Sequence, residues 1–158
     1  MNSLYSVLFV CTGNLCRSPI AHGFLADALS ARGLQDRIFV DSAGTHAREG
    51  EPPHPLAIAV AADYGVDIRA QRARQVTTED FMAFDRIVAL DREHLGHLAR
   101  LQPIQARAKI ELLLTGMAAS GDAEVPDPYG RGIEEFEYAA RLIDIGVAKL
   151  LADLTANG

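Results

Sequence analysis

The chain has 158 residues, 49% hydrophobic and 23% charged, which excludes intrinsic disorder and fits one globular domain spanning 1–158. A formal net charge of −6 argues against general affinity for nucleic acid or anionic membrane surfaces, so any anion site must be local. No apolar run approaches the ~18 residues of a membrane span, and the start at Met1 to Ser6 lacks the positive charge of an export signal. Basic charge rests on 13 arginines against 2 lysines; this reads first as genomic bias, although arginine also suits bidentate phosphate binding. The only two cysteines, Cys11 and Cys16, lie five apart and cannot frame a disulfide-stapled secreted fold, so a reducing cytoplasm is the expected compartment. No Cys or His pair has the spacing of a tetrahedral zinc site.

Leu4 to Val10 is a nearly continuous apolar and β-branched run, as expected of a strand buried on both faces. After a glycine turn, Ser18-Pro19 opens an amphipathic helix through Ile20, Ala21, Phe24, Leu25, Ala28 and Leu29, stopped by Gly33. Arg37 to Val40 reads as a second strand and Pro55 to Tyr64 as a second helix ended by Gly65. Phe84 to Leu90 is a third strand, followed by a helix from Asp91 to Leu101 that Asp91 can cap. Lys109 to Leu114 supplies a fourth strand. A long helix over Ile133 to Leu154 closes the chain, with Ile133, Phe136, Tyr138, Ala140, Leu142, Ile143, Val147, Leu150 and Leu151 largely on one face. Strands alternating with helices imply an α/β, three-layer sandwich: a four-stranded parallel sheet with helices on both faces and right-handed crossovers. Ligands of such sheets sit beyond the carboxyl ends of the strands.

The segment at that position after the first strand is Val10-Cys11-Thr12-Gly13-Asn14-Leu15-Cys16-Arg17-Ser18-Pro19. Gly13 and Asn14 tolerate the left-handed conformations of a curled loop, and curling turns backbone N–H groups inward. Such a ring at a helix amino end forms an anion cradle for a phosphate-sized ligand. Arg17 can clamp two oxygens of the anion. A thiol there has its pKa lowered, so Cys11 is expected to be a thiolate at neutral pH. Five intervening residues can wrap once around a tetrahedral phosphate, with the thiolate below phosphorus and the guanidinium beside its oxygens. No lysine follows the glycine as in a Walker loop, so ATP binding is not implied.

Val7 to Pro19 resembles the signature of low-molecular-weight protein tyrosine phosphatases. Asp41 to Thr45, Arg72 to Gln75, Phe84 to Asp91 and Val125 to Gly130 resemble further blocks of that family, in order and at similar spacing. The resemblance implies a four-stranded parallel sheet, no metal and no cofactor, and hydrolysis of phosphomonoesters through a phosphocysteine. The substrate would be a phosphotyrosine protein or a small aryl phosphate, and the product inorganic phosphate. Oligomeric state is not readable from the sequence.

A thiolate nucleophile needs an acid on the leaving-group side. Asp127, in Pro126-Asp127-Pro128-Tyr129-Gly130, is held extended by the following proline; the resemblance places it over the cysteine loop. The expected course is in-line attack by Cys11, protonation of the leaving oxygen by Asp127, and charge stabilisation by Arg17 and the loop amides. Ser18 would steady the leaving thiolate, and Asp127 would then activate water. Activity should be bell-shaped in pH and best on the acidic side of neutrality. Thr12, Gly13, Asn14, Leu15, Cys16 and Tyr129 are the expected substrate-binding residues, with Tyr129 stacking on a phenyl ring. Ser42 is expected to support the loop, and Cys16 to protect Cys11 through a reversible disulfide.

Several positions depart from the family pattern. Thr45 to Gly50 lacks the usual aromatic wall, His22 replaces an acidic residue, His54 stands where Asp is common, and Gln71 replaces a histidine that supports the loop through Ser42 and Asn14. Two other readings stay open. A thioredoxin-coupled arsenate reductase would use the same cradle but needs resolving cysteines beyond Cys16, and a non-catalytic phosphate or phosphopeptide module would have no use for Asp127.

Overall fold

A computed structural model describes residues 4–115 and 123–156; Met1 to Ser3, part of the stretch read for an export signal, lie outside them. Among these residues nine elements follow in order: β1 (Tyr5–Cys11), α1 (Arg17–Ala31), β2 (Ile38–Gly44), α2 (Pro55–Asp63), α3 (Asp80–Ala83), β3 (Arg86–Ala89), α4 (Arg92–Leu101), β4 (Lys109–Leu112) and α5 (Ile133–Thr155). The sheet order is β2-β1-β3-β4, and every pairing is parallel, as expected from the strand–helix alternation.

The two-residue period of β1 divides the core. Val7, Phe9 and Cys11 face the cluster built with α1, α2 and α5, whereas Leu8 and Val10 face the cluster under α3 and α4. Burial on both faces explains why the first strand reads as a continuous apolar run. Among the described residues no helix is long and apolar enough to cross a membrane.

Three features differ from the sequence expectation for physical reasons. β2 runs on through Asp41, Ser42, Ala43 and Gly44, each paired to β1, because the ladder and not side-chain propensity extends it. At its end a Cβ on Gly44 would lie 2.5 Å from the Thr12 carbonyl oxygen and 2.9 Å from the Asn14 nitrogen, so only glycine lets β2 run this close to the loop. The short helix α3 carries no periodic signal. On α5, Ile133 and Tyr138 are exposed, a correction to the expected apolar face. That face is instead Phe136, Ala139, Ala140, Ile143, Val147, Leu150 and Leu151. Asp91 caps α4 as its position suggests, accepting from the His94 N–H at 3.0 Å.

Candidate active site

The carboxyl ends of β1, β2 and β3 meet at one loop. Residues 12–16 leave β1 and enter α1, with Asn14 in the left-handed region at φ 58° and Cys16 at the helix start. The loop is pinned from β2: Thr45 N–H donates to the Cys11 carbonyl at 2.9 Å and His46 N–H to the Thr12 carbonyl at 2.8 Å. Asn14 fixes the turn. Its Nδ2 donates to Ser18 Oγ at 2.8 Å and Ser42 Oγ at 2.9 Å, and its Oδ1 accepts from Arg74 N–H at 2.9 Å. Arg74 is itself held by Asp41 and Asp80.

The Cys11 sulfur is buried with Ser18 Oγ at 2.9 Å and Ser18 N–H donating to it at 3.4 Å. Because Asn14 already donates to the Ser18 oxygen, the hydroxyl proton goes to a second acceptor. The sulfur, at 2.9 Å, is nearer than the alternative, Ala43 O at 3.4 Å, so a thiolate at Cys11, which can only accept, receives both Ser18 donors. Above it lies a cavity of about 190 Å³ lined by Cys11, Thr12, Gly13, Leu15, Cys16, Arg17, Asp127 and Tyr129. A larger groove of about 410 Å³, lined in part by Tyr5, Ile38 and Arg86, sits at the opposite end of the strands, away from these groups.

Arg17 has a buried guanidinium with two unequal edges. Nη1 is anchored to Asp91 Oδ2 at 2.8 Å and Val125 O at 2.9 Å. Among the described residues Nη2 has only longer contacts, to His94 Nε2 at 3.4 Å, Thr12 Oγ1 at 3.5 Å and Asp127 Oδ2 at 3.6 Å. Asp127 is half exposed, and its Oδ1 accepts from Tyr129 N–H at 3.0 Å. Its loop is tied to the sheet by Val125 N–H donating to Leu90 O.

The sequence profile of the low molecular weight phosphotyrosine protein phosphatase family matches residues 6–158. The chain belongs to that family. As a member of it, the protein is a cysteine-dependent tyrosine phosphatase. It is 38% identical over 152 residues to the low molecular weight protein-tyrosine-phosphatase YfkJ of Bacillus subtilis, covering 96% of each chain. The crystal structure of YfkJ superposes with a TM-score of 0.90, covering 99% of this chain and 98% of that one. The low molecular weight phosphotyrosine protein phosphatase of Sus scrofa is 37% identical, with 84% of each chain covered. A Vibrio vulnificus structure, Wzb in complex with benzylphosphonate, is 29% identical with a TM-score of 0.83, covering 96% and 99%.

Measured against the phosphatase family pattern, the departures have distinct outcomes here. His54 still caps α2: its Nδ1 accepts from Leu56 N–H at 3.0 Å, so any short acceptor serves where Asp is usual. Gln71 reaches neither Ser42 nor Asn14 and donates to the Pro19 carbonyl at 3.0 Å. His22 takes the place beside Ser42, Nδ1 to Oγ 3.4 Å, and burial pushes its pKa down. Ser42 is joined to the loop through Asn14.

Cys16 is buried and unpaired. Burial, then the charges of Cys11 and Asp127, push its thiol up to about 12. Two site residues escaped the sequence reading. Asp91, seen there as a helix cap and as the end of a family-like block, is the partner of Arg17. Its carboxyl is held below the usual range against the effect of burial, by the His94 N–H, the His94 ring and Arg17. His94 is buried with Nε2 2.8 Å from Thr12 Oγ1; its i,i+3 spacing from Asp91 was the available signal.

Proposed function

We propose that the protein hydrolyses phosphotyrosine in proteins and small aryl phosphates through a phosphocysteine at Cys11, releasing inorganic phosphate. The observation that carries this reading is the placing of the Cys11 sulfur, with its two Ser18 donors, beneath a cavity rimmed by Arg17 and Asp127. The sulfur attacks phosphorus in line, and its two donors stabilise it as a thiolate before attack and again when it leaves.

Arg17 suits the clamp because anchoring of Nη1 leaves the loosely held Nη2 edge for phosphoryl oxygens. The main-chain N–H groups of residues 13–16 donate to no protein group among the described residues, which leaves them for the equatorial charge of a loose transition state. Asp127, half exposed at the mouth, protonates the leaving oxygen and then takes a proton from the attacking water. Thr12, Gly13, Asn14, Leu15 and Cys16 shape the cradle, and Tyr129 offers a face to an aromatic leaving group, consistent with the aryl group of benzylphosphonate bound by the Vibrio vulnificus relative. We further propose a reducing, cytoplasmic setting, supported by two free thiols, and one catalytic domain over 1–158.

The test is turnover of p-nitrophenyl phosphate and phenyl phosphate by the wild type, Cys11→Ser and Asp127→Ala. Cys11→Ser abolishes turnover of both, and Asp127→Ala slows phenyl phosphate more, because phenoxide is the poorer leaving group. Phosphate binding by the wild type with no turnover of either ester would instead mark a binding module.

A further inference from the structure

His94 lies at the first turn of α4, 2% exposed, and touches the loop and the clamp at once. Its Nε2 is 2.8 Å from the Thr12 hydroxyl and 3.4 Å from Arg17 Nη2. Its Nδ1 is 3.1 Å from Asp91 Oδ1 and, being poorly aligned, makes no hydrogen bond. Asp91 Oδ1 accepts instead from the His94 main-chain N–H, and Asp91 Oδ2 from Arg17 Nη1. The contacts close a ring: Arg17 to Asp91 to His94 to Thr12 and back to Arg17 at 3.5 Å.

Proton counting selects one arrangement of this ring. Arg17 has only donors and Asp91 only acceptors. A proton on Nδ1 faces the carboxylate and leaves Nε2 bare, so the Thr12 hydroxyl donates to Nε2 and its oxygen is free to accept from Arg17 Nη2. The other tautomer sets a bare Nδ1 against the carboxylate and a donor Nε2 against the guanidinium. An imidazolium would also aim a second cation at Arg17. We propose that His94 is a positioning residue of the phosphatase reaction: as the neutral Nδ1–H tautomer it turns the Thr12 hydroxyl so that its oxygen braces the Nη2 edge of Arg17.

The charges around the ring favour that state. Burial, then Arg17, lower the His94 pKa to about 4; Asp91 and Asp127 pull it up and His97 pulls it down. Nη2 is the edge left for phosphoryl oxygens, and among the described residues its one contact with an anion is Asp127 at 3.6 Å. A brace from Thr12 therefore holds the guanidinium plane in place as Asp127 turns to the leaving group. The benefit falls on the transition state, so it appears in kcat more than in KM.

This role for His94 rests on the role assigned to Arg17. The test combines kinetics of His94→Gln, Thr12→Val and the double variant on p-nitrophenyl phosphate with ¹⁵N NMR of the wild-type imidazoles at pH 7. Loss of one positioned hydrogen bond predicts a fall in kcat of about tenfold for each single variant. KM is expected to change little, and the double variant to be no slower than either single one. The ¹⁵N shifts are expected to show His94 neutral with its proton on Nδ1. Losses that multiply in the double variant, a kcat unchanged by His94→Gln, or a wild-type proton on Nε2 would each overturn the brace. The NMR reading holds even if a variant fails to fold. Arg17→Ala separates the two levels. It is inactive if the clamp is right, whatever His94 does, and it retains turnover only if the clamp assignment itself is wrong.

Discussion

Ser18 holds its hydroxyl oxygen 2.9 Å from the Cys11 sulfur while accepting from Asn14 Nδ2 at 2.8 Å. A thiolate at Cys11 can only accept, so the Ser18 hydroxyl, while accepting from Asn14, turns its own proton to the sulfur. Ser42 and Arg74 are therefore linked to the Cys11 sulfur through the single amide of Asn14.

Ser18→Ala deletes that donor without touching the cavity wall. A hydrogen bond to a charged group is worth about 1.5–3 kcal/mol, so kcat for p-nitrophenyl phosphate should fall roughly tenfold to a hundredfold, with KM little changed. Steady-state kinetics check it. An unchanged kcat would show that the hydroxyl is directed to Ala43 instead.

Tyr129 is 63% exposed at the cavity mouth and makes an edge contact with His54 at 5.8 Å between ring centroids. Tyr129→Ala should raise KM for aryl phosphates severalfold, as loss of one aromatic contact of about 1 kcal/mol requires. Alkyl phosphates should show no such change. Equal effects on both classes would remove Tyr129 as an aromatic wall.

The sheet and the curled loop between β1 and α1 were the legible parts. The apolar, β-branched run from Leu4 to Val10 reads as a strand buried on both faces, and a Cys and an Arg six apart between strand and helix state their geometry locally. What was not legible depends on distant partners. Asp41 to Gly44 lack the side chains of a strand and extend β2 only because β1 lies alongside. Asp91 is 74 residues from Arg17, so nothing near it in the chain marks it as the anchor of the guanidinium. Gln71 sits where a loop-supporting group was expected but bonds to Pro19, and His22 takes the place beside Ser42 from α1. Ile133 and Tyr138 fit the apolar list yet face solvent, because composition says which residues could be buried and only packing says which are.

Stability should fall on acidification through the histidine range. His94 and His22 have pKa values lowered by burial, so the unfolded chain binds more protons than the folded one. Stability is complete above the ordinary histidine value of 6.5 and is lost as pH falls toward the folded value of about 4 for His94. The slope is about 1.4 kcal/mol per pH unit for each proton taken up on unfolding. Urea melts between pH 7 and 4.5 should show it, and His94→Gln should flatten it. A slope unchanged by that substitution would mean that His94 is protonated in the fold.

Oxidation should stop at a reversible stage. Peroxide converts Cys11 to a sulfenic acid; Cys16 then attacks that sulfur as thiolate, forming the disulfide and expelling hydroxide. Negative charge on Cys11 is one cause of the raised Cys16 pKa, and sulfenic acid formation removes it, so the first oxidation eases the second step. Peroxide-treated wild type should recover with dithiothreitol, whereas Cys16→Ser should stay inactive. Equal recovery in both would show that Cys16 has no protective role.

The most direct measurement is rapid acid quenching of the enzyme during turnover of an aryl phosphate, followed by peptide mass analysis. A phosphoryl group is expected on Cys11, formed in a burst ahead of steady turnover and absent from Cys11→Ser. Steady turnover with no phosphorylated Cys11 at any quench time, or turnover retained in Cys11→Ser, would contradict the account.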